Sequence, residues 1–225
     1  MLTAVNNMGI CYYSGLGVPK DLQKAFQCFY KAAKQNYAPS QAELGKCYYY
    51  GHGVTRDHEE ALKWLHKADA QGNMKAKIYI GLYYFEDNGK KPDYQEAVKW
   101  FTAPAEKEYV AAQTGLGVCY FNMREYSKAV PWLTKAAFKN DSQAQTLLGI
   151  CYFHGHSVPQ DRREAVKWFR SGAMQGDTNA MNNLGVCYLY GLGTEKNRSE
   201  ALKWLRKAEK NGSKKAQKIL KQLQQ

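Results

Sequence analysis

Along most of this chain, small and apolar residues return every three to four positions, the period of one buried face of an α-helix. The pattern restarts after each of a series of glycine-containing breaks. Aligned on one recurring glycine, the restarts give Gly9, Gly45, Gly81, Gly117, Gly149 and Gly185, spaced by 36, 36, 36, 32 and 36 residues. Each glycine sits in the same frame: a small residue five positions before, an apolar residue one before and a tyrosine three after, as in Ala180, Leu184, Gly185 and Tyr188. Tyr12, Tyr48, Tyr84, Tyr120, Tyr152 and Tyr188 fill the tyrosine slot, and cysteine stands two after every glycine except Gly81, where Tyr83 replaces it. The frame predicts a first helix, helix A, in each of six repeats.

A Gly-x-Gly turn follows helix A at Gly15/Gly17, Gly51/Gly53 and Gly191/Gly193, with Gly155 keeping half of it. Glycine just past a helical pattern supplies the left-handed conformation that ends a helix. Helix B then opens on Asp57 with Glu60, Asp93 with Glu96, Asp161 with Glu164 and Asn197 with Glu200, each pair resembling a capping box. Its core face reads Ala, then Trp and Leu or Phe, then a small residue, as in Ala61, Trp64, Leu65 and Ala68. Burying one large side chain contributes roughly 1.5 to 3 kcal/mol, whereas ordering each residue costs about 1 to 2 kcal/mol, so one hairpin cannot stand alone. The hairpins must stack. The expectation is an all-α repeat solenoid forming one domain over residues 1–225, with repeats at about 1–36, 37–72, 73–108, 109–140, 141–176 and 177–212 and a polar capping helix over 213–225.

The consensus Ala-x3-Leu-Gly-x2-Tyr-x2-Gly-x-Gly-Val-x2-Asp-x3-Ala-x2-Trp-x3-Ala resembles the Sel1-like repeat, a branch of the tetratricopeptide superfamily, over nearly the whole chain. The resemblance implies an α/α superhelix whose A helices line a concave surface, a role as adaptor or scaffold for a protein partner, and no enzyme activity. The middle of the chain departs from the family pattern. Asp87 to Pro92 replace the glycine turn of the third repeat, the fourth repeat lacks four residues between its helices, and Pro104 and Pro131 fall inside B helices. Such prolines remove a helix hydrogen bond. A change of curvature near residues 85–135 is expected, with plain sequence drift as the alternative.

The tetratricopeptide geometry points the positions one and four after each glycine into the groove, where Ile10/Tyr13, Lys46/Tyr49, Leu82/Phe85, Val118/Phe121, Ile150/Phe153 and Val186/Leu189 form an aromatic-aliphatic stripe. Tyr190 adjoins it, and Asn6 and Asn182, three before their glycines, bring amides able to hold a peptide backbone. The candidate partner-binding residues are therefore Asn6, Tyr13, Tyr49, Phe85, Phe121, Phe153, Asn182 and Tyr190, for a protein or peptide partner. Packing between adjacent A helices is the alternative use of the same stripe.

The formal net charge of +12 introduces a rival, an electrostatic binder of nucleic acid or anionic membrane surface. Lys63, Lys99, Lys167 and Lys203 each stand three after a glutamate, which neutralises part of that charge on an outer ridge. Lysines and aromatic residues are not interleaved on one face, which argues against nucleic acid as the main partner. The cysteine-rich bacterial subgroup of the family pairs cysteines within its repeats. Here Cys11, Cys47, Cys119, Cys151 and Cys187 share one helix A position. Neighbouring helices pack about 8 to 10 Å apart and a disulfide needs Cα atoms within about 7 Å, so the thiols read as buried and reduced. Cys28, in the tryptophan slot, reads the same way. Cys151, His154 and His156 are metal-ligand types at close spacing but lack a second ligand cluster, and no phosphate loop or catalytic motif is visible. No cofactor, metal or catalysis is expected. The chain is expected in the cytoplasm, or beyond it if a leader precedes this sequence.

Overall fold

In the computed structural model the described residues are 1–86 and 91–223. They form thirteen α-helices and no strand. Two compact units divide the chain, Met1–Lys107 and Glu108–Gln225, the division falling where the third expected repeat ends. The first holds α1 (Leu2–Ser14), α2 (Leu22–Ala33), α3 (Ala38–Tyr50), α4 (His58–Asp69), α5 (Met74–Phe85) and α6 (Tyr94–Glu106). The second holds α7 (Val110–Asn122), α8 (Tyr126–Phe138), α9 (Ser142–His154), α10 (Arg162–Met174), α11 (Thr178–Tyr190), α12 (Arg198–Lys210) and the capping helix α13 (Lys214–Gln222). Odd-numbered helices are A helices and even-numbered ones B helices. Within each unit every helix packs on the next in sequence, and α3 also meets α5, as α7 meets α9, which is the neighbour-to-neighbour stacking of a repeat fold.

The recurring glycine of helix A is explained by close approach. A Cβ on Gly9, Gly45, Gly81, Gly117, Gly149 or Gly185 would lie 2.6 to 2.7 Å from the side chain of Phe29, Leu65, Phe101, Leu133, Phe169 or Leu205 respectively. Those six side chains are at most 1% exposed and form the centre of each hairpin. The second turn glycine does more than end a helix. At Gly53 a Cβ would stand 2.1 Å from the Leu22 carbonyl oxygen, and at Gly193 the same distance from that of Arg162, so each turn seats its repeat directly on the start of the preceding helix B.

The tryptophans also join repeats. Trp64 meets Tyr30, Trp100 meets His66 and Trp168 meets Phe138, ring to ring at 5.5 to 6.3 Å across adjacent B helices. Lys67, Lys135 and Lys207, three after Trp64, Trp132 and Trp204, lie over the indole faces at 4.3 to 4.6 Å. Polar registers recur: Gln71 donates to Gln41 (2.8 Å) and Gln175 to Gln145 (2.7 Å), while Gln41 and Gln145 bond the carbonyls of Ala33 and Ala137.

The caps form as half of the expected box. Asp57, Asp93, Asp161 and Asn197 accept from the backbone N–H of Glu60, Glu96, Glu164 and Glu200. The glutamate side chains turn instead to Lys63, Lys99, Lys167 and Lys203 at 2.6 to 3.0 Å. Both helices with internal proline, α6 and α8, run unbroken through Pro104 and Pro131. The expected departure at Asp87–Asn88–Gly89–Lys90 lies outside the described residues. In the fourth repeat Arg124, at φ 62, makes the shortened connection, and the Glu125 N–H reaches the Tyr120 carbonyl at 2.9 Å.

Candidate functional site

The A-helix face of each unit carries the sequence-predicted residues, and the two units use them differently. In the first unit the face is a closed aromatic and charged cluster. Tyr13 meets the His52 ring (5.5 Å between centroids) with its hydroxyl 3.0 Å from Nδ1, and the Lys46 ammonium lies 3.9 Å over the Tyr13 ring. Lys46 also pairs with Glu43 at 3.4 Å. Burial acts to lower the Lys46 pKa, but Glu43 with Tyr79 and Tyr13 outweighs it, and the ammonium is held above its ordinary value. Tyr49 is 2% exposed and donates to the Glu86 carboxylate at 2.6 Å. Its ring meets His58, which Tyr83 flanks on another side. Burial, then the neighbouring cations Lys46 and Lys20 at His52 and Arg56 at His58, lowers both imidazole pKa values. Phe85 is half-buried against Tyr94.

In the second unit the same face opens. A cavity of about 340 Å³ lies between α9, α11 and α13, with Ile150, Phe153, Phe169 and Val186 in its wall and His154 and Lys215 beside them. A second depression of about 220 Å³ adjoins it, sharing Ile150, Asn183 and Lys215, and adds the polar groups of Gln143, Asn179 and Asn182. Together they form a trough, apolar at one part and lined with amides at the other. Phe121 lies against Tyr126 at the turn end of α7. Tyr126 in turn stacks on His156 at 4.1 Å, and His156 on His154 at 5.3 Å.

Of the eight predicted residues, Phe153 and Asn182 reach the trough. Asn6 and Asn182 are 6% and 3% exposed, and their amides are engaged by the next A helix: Ser40 Oγ donates to Asn6 (2.9 Å), and Asn182 exchanges hydrogen bonds with Ser213. Tyr13, Phe85 and Phe121 are half-exposed, Tyr49 is buried, and Tyr190, 65% exposed, stands out from the end of α11. Sequence reasoning missed Asn183 and Lys215. Lys215 lies one residue before the small-residue position of an A helix, the place of Gln143 and Asn179, so the repeat register itself held the signal.

The cysteines of the A helices point into the core: Cys47, Cys119, Cys151 and Cys187 are at most 1% exposed. Burial pushes the first three thiols up to about 12 and Cys187 to about 11. Cys11 and Cys28 are half-buried. Cys151 is buried while His154 is exposed, and among the described residues no group of three His, Cys, Asp or Glu side chains is placed to hold a metal.

Hairpins of this length, locked by an A-helix glycine against a B-helix Leu or Phe and capped by a polar helix, define an all-helical repeat protein of the tetratricopeptide-like class. The Sel1 repeat family model matches residues 3–37, 38–73, 75–107, 110–122, 142–177 and 178–213, and the chain belongs to that family. The fourth match covers only the first helix of its repeat, where the connection is shortened. Among solved structures the chain is similar to a Sel1 repeat protein from Oxalobacter formigenes, 34% identical, covering 92% of this chain and 85% of that one with a TM-score of 0.80. It is also similar to c5321, a protective antigen of uropathogenic Escherichia coli with the same repeat fold, at 30% identity and a TM-score of 0.64, over 92% of this chain and 53% of that one. A tetratricopeptide protein, YrrB, described as having an unusual peptide-binding site, shares the fold at 22% identity, with 86% and 97% of the two chains covered and a TM-score of 0.56. No curated protein matches in sequence. No helix among the described residues is long and apolar enough to cross a membrane.

Proposed function

We propose that this protein is an adaptor, without catalytic activity of its own, that holds a peptide or helical segment of a partner protein along its A-helix surface. Sel1 and tetratricopeptide repeats generally mediate protein–protein interaction. The protein works in the cytoplasm, where the unpaired core thiols stay reduced. The observation that carries the reading is the trough of the second unit, where apolar and amide groups from three A helices converge on one open surface. Within the second unit Phe153 anchors apolar side chains of the partner, with Phe121 and Tyr190 as further ring contacts and the amides setting register; Tyr13 and Phe85 offer rings within the first unit. Tyr49, buried and bonded to Glu86, supports the face from beneath.

The test is capture of partners from native lysate by the wild-type chain, by Ile150→Glu/Val186→Glu on the A face, and by Lys167→Glu/Lys203→Glu on the outer ridge. With helicity unchanged in all three, the A-face variant loses the captured proteins and the ridge variant keeps them. Equal capture by the A-face variant refutes the reading.

A second reading is favoured by the distribution of charge. Residues 108–225 carry 18 Lys and Arg against 9 Asp and Glu, a net +9 of the total +12. Electrostatic capture of nucleic acid or of an anionic membrane surface would show as a steep loss of affinity with salt, and absence of binding at low salt ends it.

A further inference from the structure

We propose that the trough of the second unit selects a partner segment in which a large apolar side chain stands beside carboxylates; the proposal rests on the A-face reading and names the partner's chemistry. The cavity wall is apolar, built by Ile150, Phe153, Phe169 and Val186. Its rim is cationic. The Arg162 guanidinium lies 5.3 Å over the Phe153 ring, and Lys215 lines both the cavity and the adjoining depression. Both cations are exposed, and neither has an ion-pair partner among the described residues. The carboxylate in the trough is already committed, since Asp177 Oδ1 accepts from the Ala180 N–H at 2.7 Å and from the Thr146 hydroxyl at 3.0 Å. An entering carboxylate therefore meets two open cations at the rim, while Asp177 keeps its charge but holds Oδ1 toward the α11 cap. The same field is felt at His154 in the cavity wall, whose pKa is lowered by burial first and then by His156 and Arg162.

The occupant is a polypeptide because of what continues from the cavity. A pocket of about 340 Å³ would also take a small amphipathic anion, but the adjoining depression presents amides of Gln143, Asn179 and Asn183, donors and acceptors suited to a passing peptide backbone and of no use to an aliphatic tail. One bulky side chain fills the apolar part, its backbone runs over the amides, and a flanking Asp or Glu reaches Lys215 or Arg162. Exposed cations of this kind set specificity and encounter rate more than raw affinity, so the preference is for composition around one anchor.

Random dodecapeptides displayed on phage, selected on the full-length chain and remeasured as synthetic peptides by fluorescence anisotropy, test this. The expected peptides have Asp or Glu within two residues of Leu, Ile, Met or Phe. Their affinity falls at least tenfold in Lys215→Glu/Arg162→Glu, whose changes lie on exposed side chains, and in Val186→Trp, which fills the cavity. Peptides lost in Val186→Trp but unaffected by the charge reversal would overturn the acidic class and leave the A-face reading standing. Peptides indifferent to Val186→Trp, or no selectable peptide, would overturn both. Displacement of a bound acidic peptide by dodecanoate, but not by a second acidic peptide, would assign the cavity to a small amphipathic anion and overturn the proposal.

Discussion

Two rules give opposite signs for Gly149→Ala, and the structure decides between them. Alanine in a helix interior is favoured over glycine by about 1 kcal/mol, so on propensity alone the substitution stabilises α9. The added Cβ would stand 2.7 Å from Cδ1 and Cε1 of Phe169 and 3.3 Å from the Ala165 carbonyl oxygen, where carbon contacts settle near 3.5 to 4.0 Å. Phe169 is 1% exposed and lies against Phe153, so its ring escapes the added methyl only by giving up core packing toward the cavity whose wall it forms. Overpacking of this kind typically costs about 1 to 3 kcal/mol, which against the propensity gain of about 1 kcal/mol leaves a net loss of up to about 2 kcal/mol. Guanidinium denaturation followed by far-ultraviolet circular dichroism and tryptophan fluorescence measures it. The cycle with Phe169→Ala sharpens the test. That change alone costs about 3 to 5 kcal/mol through the cavity it leaves, and less when the methyl group introduced by Gly149→Ala occupies part of the space. A Gly149→Ala chain more stable than wild type, or strictly additive costs in the double variant, refutes the explanation of the recurring glycine.

Three further outcomes follow from the packing. Iodoacetamide modifies Cys11 and Cys28 in the native chain, and reaches Cys47, Cys119, Cys151 and Cys187 only on unfolding; equal labelling of all six by mass spectrometry contradicts the burial pattern. Tyr49→Phe removes the hydrogen bond to Glu86 and lowers stability by about 1 kcal/mol with the ring retained, which a thermal melt detects; an unchanged melt means the bond contributes nothing. His52, His58 and His154 have pKa values lowered in the folded state, so the unfolded chain binds more protons as pH falls from about 6.5 toward the folded values. Stability from this source is present above that window and lost on acidification through it, and the fall in melting temperature between pH 7 and pH 5 is smaller in His52→Asn/His58→Asn/His154→Asn; equal falls contradict it.

The hairpin frame was legible because its cause is local and repeated. A glycine at one A-helix position, faced by Leu or Phe at one B-helix position, recurs six times, and sequence spacing alone exposes it. The turn glycines were legible as helix ends but not as seats for the neighbouring repeat, since the Leu22 and Arg162 carbonyls that forbid a Cβ lie about thirty residues earlier in the chain. The aromatic stripe was legible as a face, but its division into a closed cluster and an open trough was not. That division depends on side chains from outside the stripe: His52, His58 and Glu86 fill the first unit's face, while Asn183 and Lys215 edge the second's. Asn6 and Asn182 carry a type that suits a peptide backbone, and the serine one repeat on, Ser40 or Ser213, is what engages each amide.

The most direct measurement of the central claim is a two-dimensional amide spectrum of the full-length chain titrated with the tightest selected peptide. The account predicts shifts concentrated on Ile150, Phe153, Asn183, Val186 and Lys215, in α9, α11 and α13. Shifts gathered along Lys167 and Lys203 on the outer ridge, or confined to the first unit, would contradict it.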